Sequence, residues 1–65
     1  MTPTEQVRKW IADHFEEDSV ELVPMPALPG GCRVIDSHGK ELLVWFDVVG
    51  QQVKYDYPKE VNYGI

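Results

Sequence analysis

The chain has 65 residues, 43% of them apolar and 26% charged, with a formal net charge of −5 and a pI near 4.7. A chain this short makes one small domain. It buries only about 60% of the surface its unfolded form exposes, so its stability is marginal, yet its apolar content is ordinary for a globular protein and argues against disorder. Six Lys and Arg, scattered along the sequence, exclude a binder that displaces counterions from nucleic-acid phosphates and disfavour an anionic membrane surface. No run of about 18 apolar residues is present to span a membrane, and residues 1–5 lack the basic start and apolar stretch of a signal peptide. The single cysteine, Cys32, has no internal disulfide partner. A small domain without disulfides fits a reducing compartment, so the expected location is cytoplasmic.

Thr2-Pro3-Thr4-Glu5 has the form of a helix start. Thr2 caps, Pro3 takes the first helical position, and Glu5 stands where a capping box needs it. Val7, Trp10, Ile11, His14 and Phe15 follow on one stripe at helical spacing, which predicts a helix over residues 3–17. Glu16, Glu17 and Asp18 would then sit at the negative end of the helix dipole, at a cost of a few tenths of a kcal/mol each. Residues 19–23 read as a short strand with Val20 and Leu22 on one side. Three prolines, Pro24, Pro26 and Pro29, then favour an extended loop and forbid a central strand. Gly30-Gly31 lets the chain turn sharply.

Two hairpins come next, and turn chemistry sets their register. Asp36-Ser37-His38-Gly39-Lys40 fits a type I turn followed by Gly39 in the left-handed conformation, which pairs Val34 with Leu42 and Cys32 with Val44. Val49-Gly50-Gln51-Gln52 fits a type II′ turn, which pairs Val48 with Val53, Phe46 with Tyr55, and Asp47 with Lys54. Both registers put Cys32, Val34, Leu42, Val44, Phe46, Val48, Val53, Tyr55 and Tyr57 on one face, where the helix stripe can cover them. The expected fold is therefore α+β: one N-terminal helix on one face of a three- to four-stranded antiparallel meander, in the order α-β-β-β-β. Pro58 ends the last strand. Residues 59–65 are expected as a tail, either frayed or forming an extra strand or a cover for the second face through Val61, Tyr63 and Ile65. No internal repeat, linker or low-complexity tract is present.

Residue types that carry chemistry are present without the spacing that chemistry needs. His14 and His38 have no second His or Cys at a zinc-ligand interval, so no metal or cofactor is expected. Asp36-Ser37-His38 has the residue types of a hydrolase triad, but consecutive residues on a tight turn cannot align nucleophile, base and acid. Asp and Ser are also what a type I turn prefers. Cys32, beside Val34 on the inner face, reads as a small buried hydrophobe. Gly30-Gly31 lacks the Lys-Ser/Thr of a phosphate loop. A domain of one helix on one sheet seldom forms a cleft of about 300 Å³ for acid–base catalysis. No enzyme is expected.

Two features point to partners. The run Glu41-Leu42-Leu43-Val44-Trp45-Phe46-Asp47 is apolar on both strand faces, whereas a one-sided strand alternates. Its surplus, Leu43 and Trp45, joins Ile35 and Val49 in an apolar strip on the second face, edged by Arg33, Asp47, Lys54 and Asp56. A partner, the loop over residues 24–29 or the tail would cover this strip, or it is a modest exposed patch. The second feature is the acidic cluster Asp13, Glu16, Glu17, Asp18 and Glu21, either a solvated surface or a patch for a basic partner. The leading expectation is a small non-catalytic interaction module, of phage or accessory type. It would bind a protein partner or form a homodimer through Ile35, Leu43, Trp45 and Val49, with no direct contact to nucleic acid or membrane. The alternative is an acidic decoy that occupies a nucleic-acid-binding protein through the cluster.

Overall fold

A computed structural model of the chain describes residues 1–57. Helix α1 (Pro3–His14) is followed by a 3₁₀ turn (Glu17–Ser19) and four strands, β1 (Val20–Pro24), β2 (Cys32–Asp36), β3 (Glu41–Asp47) and β4 (Gln52–Asp56). The strands form one open antiparallel sheet in chain order, β1-β2-β3-β4, with α1 packed against β3 and β4. This is the α+β arrangement of helix then meander. Among the described residues no helix is long and apolar enough to cross a membrane.

The helix starts as its sequence dictates. The Glu5 N–H donates to Thr2 Oγ1 at 3.1 Å, the Thr2 N–H donates back to Glu5 Oε1 at 3.3 Å, and Pro3 occupies the first turn. Its end falls short of the expected residue 17. Phe15 leaves the helix in an extended conformation (φ −135°, ψ 149°) while its N–H still donates to the Ile11 carbonyl at 2.8 Å. The reason is packing: the extended backbone lets the Phe15 ring lie against the core. The early exit also moves Glu16, Glu17 and Asp18 off the helix terminus and relieves the charge–dipole conflict. His14, in the last turn, sets Nδ1 2.7 Å from the Trp10 carbonyl, a second contact to a carbonyl one turn back along the helix.

Val7, Ile11, Cys32, Val34, Leu42 and Val44 make the buried core, with Trp10, Phe15, Val20, Phe46 and Val53 packed around it. Val7, Val34 and Val44 are at most 2% exposed, and each contributes roughly 1.5–3 kcal/mol by burial. The first hairpin has the expected form. Val34 faces Leu42, Cys32 faces Val44, Gly39 has φ +81°, and the Gly39 N–H donates to the Asp36 carbonyl at 3.0 Å. The Asp36 carboxylate caps the turn, accepting from the backbone N–H of His38 (2.8 Å) and Lys40 (2.9 Å).

The second hairpin departs from the expected register by two residues. Phe46 faces Val53 rather than Tyr55, Trp45 faces Lys54, and Asp47 faces Gln52. Residues 48–51 make the turn, with Gln51 rather than Gly50 at positive φ (+51°). The Asp47 carboxylate organises this turn. It accepts from the Val49 N–H at 3.2 Å and pairs with Lys54 at 3.0 Å. Gly50 runs so close that an added Cβ would lie 2.7 Å from Asp47 Oδ2. A shift of two preserves which face each side chain takes, so Phe46 and Val53 stay inward. Val48 leaves the strand instead of joining the inner face and is 58% exposed, and Val49 is 96% exposed at the tip.

Candidate protein-binding face

Strand alternation assigns Glu21 and Val23 of β1, Arg33 and Ile35 of β2, Glu41, Leu43, Trp45 and Asp47 of β3, and Gln52, Lys54 and Asp56 of β4 to the face turned away from α1. Ile35, Leu43 and Trp45 lie together on it, each half-buried. Val49 does not join them, because the turn that Asp47 organises takes it off the sheet. In its place Val23, opposite Arg33, adds an apolar side chain that sequence reasoning missed. Only the β1–β2 register, which no turn motif announces, could have placed it there.

Two ion pairs frame the apolar centre. Arg33 faces Leu43 and Ile35 faces Glu41, and the Arg33 guanidinium reaches diagonally to the Glu41 carboxylate. Lys54 faces Trp45 and reaches diagonally to Asp47. The Lys54 ammonium, and after it the backbone of the turn, hold the Asp47 carboxyl below its ordinary value. Trp45, half-buried, lies past the Cys32 end of β2. β2 begins at Cys32, opposite Val44, so no β2 residue stands beside Trp45, and the preceding Gly31 carries no side chain.

The loop between β1 and β2 was one candidate cover for Trp45. Its described contacts lie on the helix side of the sheet and, at one backbone hydrogen bond, in line with β2 beside β3. An added Cβ on Gly30 would meet the Pro3 backbone at 2.7 Å, and the loop walls a groove of about 350 Å³ with Thr4, Val7 and Arg8 of the helix. The Phe46 N–H donates to the Pro29 carbonyl at 2.9 Å, which anchors the loop at the end of β3. The tail over residues 59–65, the second candidate cover, lies outside the described residues.

The acidic residues Asp13, Glu16, Glu17, Asp18 and Glu21 are all exposed, but they do not share one element. Asp13 is in the last turn of α1, Glu16 to Asp18 are at the 3₁₀ turn, and Glu21 lies on the outer sheet face opposite Ile35. Glu21 therefore borders the Trp45 face rather than extending the cluster.

The remaining chemistry-bearing groups are engaged in structure. His14 is exposed although it falls on the inner helix stripe, and it stacks on Trp10 with ring centroids 3.9 Å apart. Tyr55 stacks on Trp10 as well, at 5.2 Å. A groove of about 730 Å³, larger than the sequence leads one to expect, opens between Phe15, Leu42 and Tyr57 and the turn bearing Asp36 and His38. It also passes Glu41, so it gathers a histidine with two carboxylates. Both carboxylates are committed: Asp36 caps its turn, whose backbone N–H groups lower its pKa, and Glu41 pairs with Arg33. Burial pushes the Cys32 thiol above its ordinary value, which keeps it protonated and a poor nucleophile. Among the described residues no three His, Cys, Asp or Glu side chains are grouped to hold a metal.

No family model, curated protein or solved structure matches this chain. Its function is therefore read from the site alone.

Proposed function

We propose that this chain is a non-catalytic interaction module that binds a protein partner, or a second copy, through the outer sheet face centred on Trp45. The supporting observation is the placement of Ile35, Leu43 and Trp45 on the face that α1 leaves uncovered, with Trp45 at a corner that β2 does not reach. An indole there docks into a pocket of a partner, and burying it contributes roughly 1.5–3 kcal/mol to binding. Arg33 with Glu41 and Lys54 with Asp47 are already paired within the chain, which leaves Asp56, opposite Leu43, and Glu21, opposite Ile35, as the carboxylates on this face that a partner would meet. A cytoplasmic setting and an accessory role belong to the same reading.

The test compares retention of proteins from a cell extract on immobilised wild type, Trp45→Lys and the triple variant Glu16→Gln/Glu17→Gln/Asp18→Asn. A protein held by wild type and the triple variant but lost from Trp45→Lys supports the Trp45 face. Equal retention on Trp45→Lys sinks it. Retention lost only from the triple variant, and weakened sharply by salt, would support the acidic-decoy reading instead.

A further inference from the structure

We infer that the free edge of β4 is a self-complementary surface whose occupant is the β4 edge of a second copy, joined antiparallel across a two-fold axis at Tyr55. β1 and β4 are the two edges of the sheet among the described residues. β1 is blunted, since it ends in Pro24, which cannot donate to a ladder, and carries Glu21, which pairs with no cation among the described residues. β4 has no proline from Gln52 to Asp56.

The side chains of β4 select one register. A two-fold axis normal to the sheet keeps inner face against inner face, so each residue must meet one of its own parity. Centring on Lys54 sets ammonium against ammonium, and centring on Asp56 sets carboxylate against carboxylate; like charges directly opposite are destabilising. Centring on Val53 sets Lys54 against Gln52 and leaves Asp56 with no cation opposite it. Centring on Tyr55 places Lys54 of each copy opposite Asp56 of the other, so that each ammonium, 3.0 Å from its own Asp47, is shared with a second carboxylate through its three donors, forming two equivalent contacts on the outer face. On the inner face the same register sets Tyr55 against Tyr55 and Val53 against Tyr57. Tyr55 and Tyr57 are 57% and 66% exposed in the single chain. The Trp10–Tyr55 stack would continue across the axis into the stack of the second copy. A lysine on an edge normally guards against pairing; here it finds a carboxylate at the one register that also matches the aromatic face.

This inference concerns the edge of the sheet and stands independently of the Trp45 face. Light scattering after size exclusion, run over a range of protein concentrations, tests it. Wild type should show a concentration-dependent mass rising toward twice the 7.5 kDa of one chain. Asp56→Lys should raise the dissociation constant about tenfold or more, because two attractive pairs become repulsive. Lys54→Asp/Asp56→Lys, made together with Asp47→Asn so that no second carboxylate crowds the turn, should restore the dimer by exchanging the two charges. Far-UV circular dichroism and a thermal melt on each variant confirm that the monomer still folds. A wild type that stays monomeric at every concentration overturns the inference. So does a dimer that Asp56→Lys leaves unchanged, or one that only Trp45→Lys dissociates.

Discussion

Gly30 and Gly39 both adopt the left-handed conformation, at φ +61° and +81°, but their surroundings differ. An added Cβ on Gly39 meets nothing within 4 Å, whereas on Gly30 it would lie 2.7 Å from the backbone carbon and oxygen of Pro3. Gly39→Ala should therefore cost only the conformational term, roughly 1–2 kcal/mol. Gly30→Ala should add an overpacking term of about 1–3 kcal/mol, because the obstacle is helix backbone and cannot rotate away. A domain of this size seldom has more than about 3–5 kcal/mol to lose. At about 4–8 °C per kcal/mol, Gly39→Ala should lower the melting midpoint by roughly 4–16 °C, and Gly30→Ala, at about 2–5 kcal/mol in all, by roughly 8–40 °C. Asparagine separates the two terms, since it tolerates positive φ but keeps its Cβ. Asn should recover most of the loss at position 39 and little at position 30. Melts and urea titrations followed by circular dichroism supply the measurement. Equal losses at the two sites would refute the close approach of the loop to the start of α1.

Gln51, at φ +51°, should gain from replacement by glycine: Gln51→Gly is expected to raise the melting midpoint, and a lowered midpoint would contradict the turn over residues 48–51. Thr2→Ala removes the capping box and should cost about 1 kcal/mol by urea titration; no change would mean that the helix start is frayed in solution. Glu5, Asp36 and Asp47 all have pKa values lowered by folding, through hydrogen bonds from Thr2, from the turn backbone and from Lys54 respectively. Their stabilisation is therefore complete above the ordinary values of 4.5 and 3.8 and is lost as the pH falls through the lower folded values. The midpoint should be flat from neutral pH down to about 5 and then fall, less steeply in Asp36→Asn; a midpoint that rises on acidification would contradict it. Cys32 is 9% exposed and should react with a thiol reagent only when the chain is denatured, so rapid labelling of the native protein would contradict its burial.

The parts of this fold that were legible in the sequence are those with local chemistry. Thr2-Pro3-Thr4-Glu5 announces the helix start, and Asp36 with Gly39 fixes the first hairpin to the residue. Where the competition was between local signals and packing or side-chain capping, sequence reasoning chose the local signal and missed. It extended α1 through a periodic stripe because Phe15 fits that stripe, although Phe15 reaches the core better from an extended backbone. It chose Gly50 as a turn residue because glycine suits a type II′ turn. The Asp47 carboxylate instead draws Val49 and Gly50 around itself and moves the turn. Within the strands the face assignments survived because the error was even, whereas Val48 passed from the inner face into the turn. Ile35, Leu43 and Trp45 were placed together correctly, while Val49 was lost to the turn and Val23 was gained from a strand pairing with no short-range signature.

The pairing of charges separates the two functional readings physically. On the outer face Arg33 with Glu41 and Lys54 with Asp47 are closed within the chain. A partner that covers Trp45 would therefore bury apolar surface beside two carboxylates only, Asp56 opposite Leu43 and Glu21 opposite Ile35, and its affinity should respond less to salt than binding through the acidic cluster. Among the described residues, no cation pairs with Asp13, Glu16, Glu17 or Asp18, so binding through them should weaken steeply as salt rises. Dimerisation through β4 would add a geometric consequence. A two-fold axis normal to the sheet keeps both outer faces on the same side, so two Trp45 corners would lie on one continuous surface. A partner with two matching sites would then gain by avidity, since its second contact forms within the complex rather than from solution. Asp56→Lys, which leaves Trp45 in place, should remove that gain while preserving the affinity of a single site. If Trp45→Lys abolishes partner binding but Asp56→Lys leaves the avidity intact, the two copies are not held by β4.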